Sequence, residues 1–160
     1  MILSEQSVAM INEALTRYPD HKSAVLPALT IAYQQVGHLS DDIYREISET
    51  IGVPTVEIAE AATFYTMFPK HPVGKYLIQV CHNISCALLG ADSLVSYLEE
   101  KLGVSKGETT ADHLFTIVTV ECLGSCATAP MMQINQDYYE NLTKEKVDKI
   151  LEQLRAEAVT

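Results

Sequence analysis

The sequence has few basic residues and no long apolar run. Its 160 residues include 11 Lys and Arg against 21 Asp and Glu, which gives a formal net charge of −10. Nucleic acids and anionic membrane surfaces attract basic patches, so this balance argues against both as partners. No apolar stretch approaches the ~18–20 residues of a membrane span, and the first residues lack the features of a signal peptide. We therefore expect a soluble cytoplasmic protein without direct membrane insertion.

Two familiar sequence motifs are also absent. Without a G-x-G-x-x-G fingerprint, the chain alone is not expected to bind a dinucleotide. Without a C-x2-C pair, it offers neither a thioredoxin-type redox motif nor the usual zinc knuckle. The apolar fraction of 48% with 20% charged residues is ordinary for a globular protein. The length predicts one domain or a small pair of domains.

The sequence does contain two short loops that hold all its cysteines. Residues 81–86 read Cys-His-Asn-Ile-Ser-Cys, and residues 122–126 read Cys-Leu-Gly-Ser-Cys. Each loop follows an apolar run rich in β-branched residues, at 75–80 and at 115–120. If these runs are neighbouring parallel strands, both loops lie at the same edge of one sheet. We therefore expect a metal site there. Its predicted ligands are Cys81, Cys86, Cys122 and Cys126.

The spacing of the cysteines favours two irons over one zinc. C-x4-C and C-x3-C bites are wider than the C-x2-C bite that fits a single tetrahedral ion. A 2Fe–2S cluster is held by four thiolates, and plant-type ferredoxins also use a C-x4-C bite. Two disulfides would need an oxidising compartment, and four unrelated buried thiols would rarely fall into paired loops. On spacing alone, zinc stays open as the main alternative.

Apolar residues at helical spacing predict four helices in the first part of the chain. The predicted helices begin near Ser4, Val25, Ser40 and Thr55. Residues 69–74 hold two prolines and a glycine, a composition typical of a linker. We therefore predict a helical domain at 1–70 and a second domain at 71–160.

The second domain is predicted to be a small α/β sandwich. After the first strand, Ser85 is predicted to cap one helix whose inward stripe runs from Leu88 to Leu102. A hairpin at 131–140 and a last helix capped by Thr143 follow the second strand. The order β-α-β-β-β-α predicts a thioredoxin-like fold. The whole chain is then α+β, with an N-terminal helical bundle before a thioredoxin-like α/β domain.

The cysteine loops resemble those of a known family. Residues 121–130 are similar to the second cluster loop of the thioredoxin-like 2Fe–2S subunit of NADH:quinone oxidoreductase (NuoE-type), and residues 81–86 to its first. Ala-Thr-Phe-Tyr at 62–65 and Gly-His-Leu at 37–39 resemble two of its helical segments. One departure lies at 112–113, where the chain has Asp-His and the family commonly has Asp-Gly.

This resemblance implies one-electron transfer through a single 2Fe–2S cluster on the four cysteines. It implies a partner, the flavoprotein subunit (NuoF-type) that binds FMN and NADH, and a larger respiratory complex. The protein would then be cytoplasmic, peripheral to the inner membrane through that complex, and have no catalytic residue of its own. Related subunits occur in NAD-linked hydrogenases and formate dehydrogenases, and a homodimer is open for the isolated chain. The alternatives are a zinc-stapled adaptor and a free-standing ferredoxin.

Several residues beside the cysteines invite expectations of their own. Gly124 permits backbone angles that bring amides close to sulfur. The start of the helix after Ser85 is expected to direct free N–H groups toward Cys86. Glu121 is expected to point outward, and Pro130 to fix the exit from the second loop.

Overall fold

The computed structural model describes residues 1–159 and divides into two compact units. The first comprises Met1–Pro72, and the second begins at Val73. The division lies two residues beyond the predicted boundary and falls among the prolines of residues 69–74.

The first unit is helical. Its elements are α1 (Glu5–Leu15), a 3-10 turn (His21–Ala24), α2 (Val25–Val36), α3 (Asp41–Ile51) and α4 (Thr55–Phe64). The Ser4 hydroxyl accepts the Ser7 N–H and so caps α1, as Ser commonly does. The four helices bury one shared apolar core, as their helical spacing predicts. Its fully buried members include Ile11, Leu29, Ile43, Ile47 and Ile58.

The second unit is a four-stranded mixed sheet with helices. Its elements are β1 (Tyr76–Cys81), α5 (Ile84–Leu88), α6 (Ala91–Leu102), β2 (Phe115–Val120), a 3-10 turn (Cys126–Thr128), β3 (Met132–Ile134), β4 (Asp137–Tyr139) and α7 (Lys144–Val159). The strand order is β2-β1-β3-β4. β1 is parallel to β2, and β3 is antiparallel to β1 and to β4. The predicted α+β class, the parallel pair and the hairpin are confirmed.

The prediction of one helix capped by Ser85 is wrong in two respects. The structure has two helices there, α5 and α6, and the cap of the first is Asn83, whose side chain accepts the Ile84 N–H at 2.9 Å. Gly90, with φ of 99°, separates the two helices, because a left-handed residue does not continue a right-handed helix. As a consequence Leu88, predicted to face inward, is 82% exposed.

At residues 112–113, where the sequence departs from the family pattern, the backbone has an unusual conformation. His113 has φ of 56°, in the left-handed region that glycine adopts without a steric penalty. Its N–H donates to the Thr110 carbonyl at 2.8 Å within the turn before β2. The turn therefore keeps a glycine-like conformation although the residue is histidine.

Across the described residues, no helix is both long and apolar enough to traverse a bilayer.

Candidate metal centre

The parallel strands β1 and β2 place the two cysteine loops side by side. Cys81 is the last residue of β1 and pairs in register with Val120, the last residue of β2. Cys122 follows two residues later, and the His82 N–H donates to the Val120 carbonyl at 2.9 Å. Both loops therefore leave the same edge of the sheet, as the sequence predicts.

The first pair of thiols is buried. Cys81 is 3% exposed and Cys86 is 2% exposed, and their side chains hydrogen-bond to each other. Cys86 lies within α5, a five-residue helix that turns it back toward Cys81. Ala91 and Met131 are buried with them in a small apolar cluster. One side of the first pair is therefore shielded from water.

The second pair of thiols is exposed. The Cys122 and Cys126 sulfurs lie 3.6 Å apart, and neither forms a disulfide. The Gly124 N–H donates to the Cys122 sulfur at 3.4 Å. Gly124 has φ of 84°, while a side chain added there would meet no atom within 4 Å. Its role in the loop is therefore conformational and does not depend on lack of space.

The two loops contact each other through the sulfurs. The Leu123 N–H, in the second loop, donates to the Cys81 sulfur of the first. The Ser85 hydroxyl, in the first loop, donates to the Cys126 sulfur of the second. Leu123 and Ala129 also pack against the buried cluster of the first pair. These contacts bring the predicted ligands of both loops into one region of the molecule.

The environment shifts the pKa values of three thiols. Burial alone would raise the pKa of Cys81, but the N–H groups of Asn83 and Leu123 and the Cys86 thiol outweigh it, so the pKa is lowered. Burial, followed by the hydrogen bond with Cys81, raises the pKa of Cys86. The hydrogen bond with Cys122 and the negative charge of the Cys122 thiolate raise the pKa of Cys126. The two thiols of each pair therefore affect each other's ionisation, and the donors around Cys81 favour its thiolate, the form that binds a metal.

Every one of the four sulfurs has a hydrogen-bond donor of the surrounding chain close enough to act on its charge. In the first pair, the backbone N–H groups of Asn83 and Leu123 point to Cys81, and the Met131 N–H points to Cys86. In the second pair, the Gly124 N–H points to Cys122, and the Ser85 hydroxyl points to Cys126. Donors of this kind stabilise thiolate sulfur, the form that binds iron. The residues present therefore fit an iron–sulfur cluster.

The four thiols form two pairs and do not surround a single point. Over residues 1–159, no group of three or more His, Cys, Asp or Glu side chains is close enough together to hold one metal ion. Assigning all four thiols to one cluster is therefore a proposal.

The other loop residues have partners that the sequence does not indicate. Glu121 is exposed, and its carboxylate accepts the Asn83 side-chain amide at 2.8 Å. His82 Nε2 lies 2.5 Å from the Asp92 carboxylate. The peptide bond before Pro130 is cis. The start of α5 does not supply the Cys86 donor that was expected, because the N–H on Cys86 comes from Met131.

Two residues of the hairpin also contact the second loop, and sequence reasoning missed both. The Tyr138 hydroxyl donates to the Leu123 carbonyl at 2.9 Å. The Glu140 carboxylate accepts the hydroxyls of Ser125 and Thr128, the latter at 2.7 Å. The sequence offered one signal, an exposed aromatic residue, Tyr138, on a short strand. This signal is not specific, because exposed aromatic residues are also common on strands that contact no functional site.

Comparisons with known proteins agree with this geometry. The chain is 48% identical to an E-type subunit of the NADH-quinone oxidoreductase of Rhizobium meliloti (strain 1021) over 91% of this chain and 87% of that protein. It is 42% identical to the E-type subunit of the NADH-quinone oxidoreductase of Rickettsia conorii (strain ATCC VR-613 / Malish 7) over 94% of this chain and 92% of that protein.

A solved structure and a family provide further comparisons. The crystal structure of an NAD+-reducing [NiFe]-hydrogenase in the air-oxidised state matches 83% of this chain with a TM-score of 0.72 and 26% identity. The match spans about a quarter of that hydrogenase chain, 23%. Residues 11–155 match the thioredoxin-like [2Fe-2S] ferredoxins and include both cysteine loops. The chain therefore belongs to the thioredoxin-like [2Fe-2S] ferredoxin family.

Proposed function

We propose that this protein is the electron-transfer subunit of an NADH:quinone oxidoreductase. In this proposal one 2Fe–2S cluster is bound by Cys81, Cys86, Cys122 and Cys126. The observation that carries it is the set of four sulfurs at one sheet edge, each with its own hydrogen-bond donor. Family membership and the two NADH-quinone oxidoreductase relatives support the same function.

The chain's own residues have three tasks at this site. A bound 2Fe–2S cluster supplies a centre that takes up and releases one electron at a time. The thiolates hold the irons, and the N–H groups of Leu123, Gly124 and Met131 stabilise the negative charge on sulfur. Buried Ala91 and Met131 exclude water from the inner side of the site. No other chemistry is required of this chain.

The electron donor in this proposal is a flavoprotein subunit that binds FMN and NADH. The flavoprotein docks on an apolar patch of this chain that is formed by Ile84, Leu88 and Leu89. These side chains are 73%, 82% and 59% exposed. These side chains lie on or directly after α5, the helix that carries Cys86. Exposed apolar groups beside a redox centre favour a partner that covers them. Asp92 and Glu121 are also exposed and would suit basic residues at the rim of the partner.

The proposal also covers location and assembly. The protein would be cytoplasmic and reach the inner membrane only through the larger respiratory complex. A second candidate is the equivalent subunit of an NAD-linked hydrogenase, which the structural match favours. The zinc-stapled adaptor has no such support, because the family is defined by a 2Fe–2S cluster.

Metal analysis tests the cluster. Protein prepared without oxygen is expected to hold about two irons and two acid-labile sulfides per chain. Cys86→Ser should lose most of both, because it removes a terminal iron ligand. Ala87→Ser is the control, since it adds a hydroxyl to the same helix and leaves every thiol in place. One zinc per chain without sulfide would contradict the proposal.

Purification from the native cell tests the assembly. A tagged copy of this chain is expected to bring with it a flavin-containing, NADH-binding subunit and quinone-reducing activity. Hydrogenase subunits in their place would support the second candidate. Recovery of the chain alone, or as a homodimer, would contradict both and favour a free-standing ferredoxin.

A further inference from the structure

The peptide group between Leu123 and Gly124 is held from both sides. Its carbonyl accepts the Tyr138 hydroxyl at 2.9 Å, and its N–H donates to the Cys122 sulfur at 3.4 Å. The carbonyl and N–H of a trans peptide are fixed in one plane and point in opposite directions. A hydrogen bond that fixes the carbonyl therefore also fixes the direction of the N–H.

Tyr138 contributes little to the core. It lies in β4, the edge strand of the sheet, and is 49% exposed. Successive residues of a strand face opposite sides, and the neighbouring Tyr139 packs against the main core of this unit. The hydroxyl contact with Leu123 is thus the specific interaction that the Tyr138 side chain makes with a cysteine loop.

The same hairpin holds the second loop at another point. Glu140 is two residues beyond Tyr138 and accepts hydrogen bonds from the Ser125 and Thr128 hydroxyls. Ser125 and Thr128 flank Cys126, so Glu140 fixes the far end of the loop while Tyr138 fixes its middle. Because the two anchors act on different atoms, they are separable by substitution.

We propose that Tyr138 is a positioning residue that holds the Gly124 N–H on the Cys122 sulfur and thereby raises the reduction potential of the cluster. This inference rests on the proposed function for the identity of the bound group. Reduction adds negative charge, and a hydrogen bond to a ligand sulfur stabilises that charge. A hydroxyl that donates to the carbonyl polarises the peptide group, and this strengthens the hydrogen bond that its N–H donates to sulfur.

The test is a redox titration of cluster-loaded Tyr138→Phe, followed by EPR. Phe keeps the ring and removes only the hydroxyl, so the fold is expected to persist. At the wild-type midpoint, the ratio of reduced to oxidised cluster should fall about two- to tenfold, the factor that corresponds to one net hydrogen bond. The exchangeable-proton coupling seen by ENDOR on the reduced cluster should weaken as well.

The matched control is Tyr97→Phe. It also removes a tyrosine hydroxyl that donates a short hydrogen bond, 2.8 Å to Asp148, but this bond joins α6 to α7. The control should keep the wild-type midpoint and proton coupling. If Tyr138→Phe holds a full cluster with an unchanged midpoint and coupling, the inference is overturned while the proposed function stands. A wild-type protein without a cluster would overturn the proposed function itself.

A second measurement applies if Tyr138→Phe does not retain its cluster. Amide hydrogen exchange is then compared in the cluster-free wild type and variant, at the Gly124 N–H. Faster exchange in the variant supports the positioning role, because the peptide has lost one of its two restraints. Equal exchange overturns it.

Discussion

The side-chain amide of Asn83 donates to the Glu121 carboxylate at 2.8 Å, and so joins the two cysteine loops. The same residue caps α5 through its side-chain oxygen and donates its backbone N–H to the Cys81 sulfur. One residue of the first loop therefore links a ligand, a helix start and the second loop. The conformation of each loop depends on the other.

Glu121 is expected to lower the reduction potential of the cluster. Its carboxylate is adjacent to Cys122 in the chain, and negative charge there opposes the addition of an electron. We expect a midpoint near the roughly −400 mV of plant-type ferredoxins, since all four ligands are thiolates. Glu121→Gln should move it to a less negative value by a small amount, because solvent and salt screen an exposed charge. A redox titration measures the shift.

The control for this substitution is Glu5→Gln, which removes an exposed carboxylate from the helical unit. Its midpoint should equal that of the wild type. A shift of the same size in both variants would show that net charge alone acts, and that the position of Glu121 beside a ligand is irrelevant.

Gly124 is expected to matter through its backbone conformation. Its φ of 84° is strained for any residue with a side chain, although the space around it is open. Gly124→Ala should cost about 1 kcal/mol of stability and speed the loss of the cluster, because relaxing φ moves the N–H away from Cys122. Cluster decay is followed by absorbance after oxygen exposure or addition of a chelator.

Gly103→Ala separates the two effects. Gly103 has φ of 69° at the end of α6 and also has open space around it. This variant should lose similar stability and keep wild-type cluster decay. Equal decay in Gly124→Ala and Gly103→Ala would mean that the backbone at Gly124 has no specific role in holding the cluster.

The apolar patch on α5 is expected to bind the flavoprotein subunit. Leu88→Asp introduces a charge at its most exposed member and should weaken that association about tenfold or more, while leaving cluster content unchanged. The association is measured by titrating the purified subunits. Val56→Asp, at another exposed apolar residue, is the control and should bind as the wild type does. Equal weakening in both variants would argue against a specific patch.

Glu46 is expected to make the stability of the protein sensitive to acid. Its side chain is 19% exposed. Burial alone would raise the pKa of Glu46, but hydrogen bonds from the Leu3 and Ile2 N–H groups and the amino-terminal charge lower it overall. A lowered pKa in the folded state means that the unfolded state binds the proton more tightly. The contribution is therefore fully present at neutral pH and is lost as the pH falls below the ordinary value of 4.5.

Urea unfolding at a series of pH values measures this contribution. At neutral pH Glu46→Gln should be less stable than the wild type by about 1 kcal/mol, and the difference should shrink in acid. Glu60→Gln, at an exposed carboxylate on α4, should follow the wild type throughout. A constant difference between Glu46→Gln and the wild type at all pH values would contradict the prediction.

The sequence predicted those parts of the fold that depend on local patterns. The apolar, β-branched runs of β1 and β2, the hairpin turn and the Thr143 cap, which accepts the Lys146 N–H at 3.3 Å, are short-range signals. The parallel pairing of β1 and β2 followed from the helix predicted between them, as in a βαβ unit. The positions of both cysteine loops followed from that pairing.

The remaining features depend on contacts between distant parts of the chain. The apolar spacing continues across Gly90, so periodicity alone did not reveal that one predicted helix is two. Asn83 meets Glu121 38 residues away, and Tyr138 meets Leu123 15 residues away. Neither partner is specified by its own segment of sequence. The hydrogen bonds that surround the sulfurs therefore had to be found in the folded structure.

The separation of all four thiols into the second unit has a thermodynamic consequence. A cluster bound at the ends of β1 and β2 would act as a cross-link that closes the chain through α5, α6 and β2, as a disulfide closes a loop. Such a link removes entropy from the unfolded ensemble of that unit only, because Met1–Pro72 contains no cysteine. Loss of iron would then restore that entropy to the unfolded second unit and lower the free energy of unfolding of its sheet and helices.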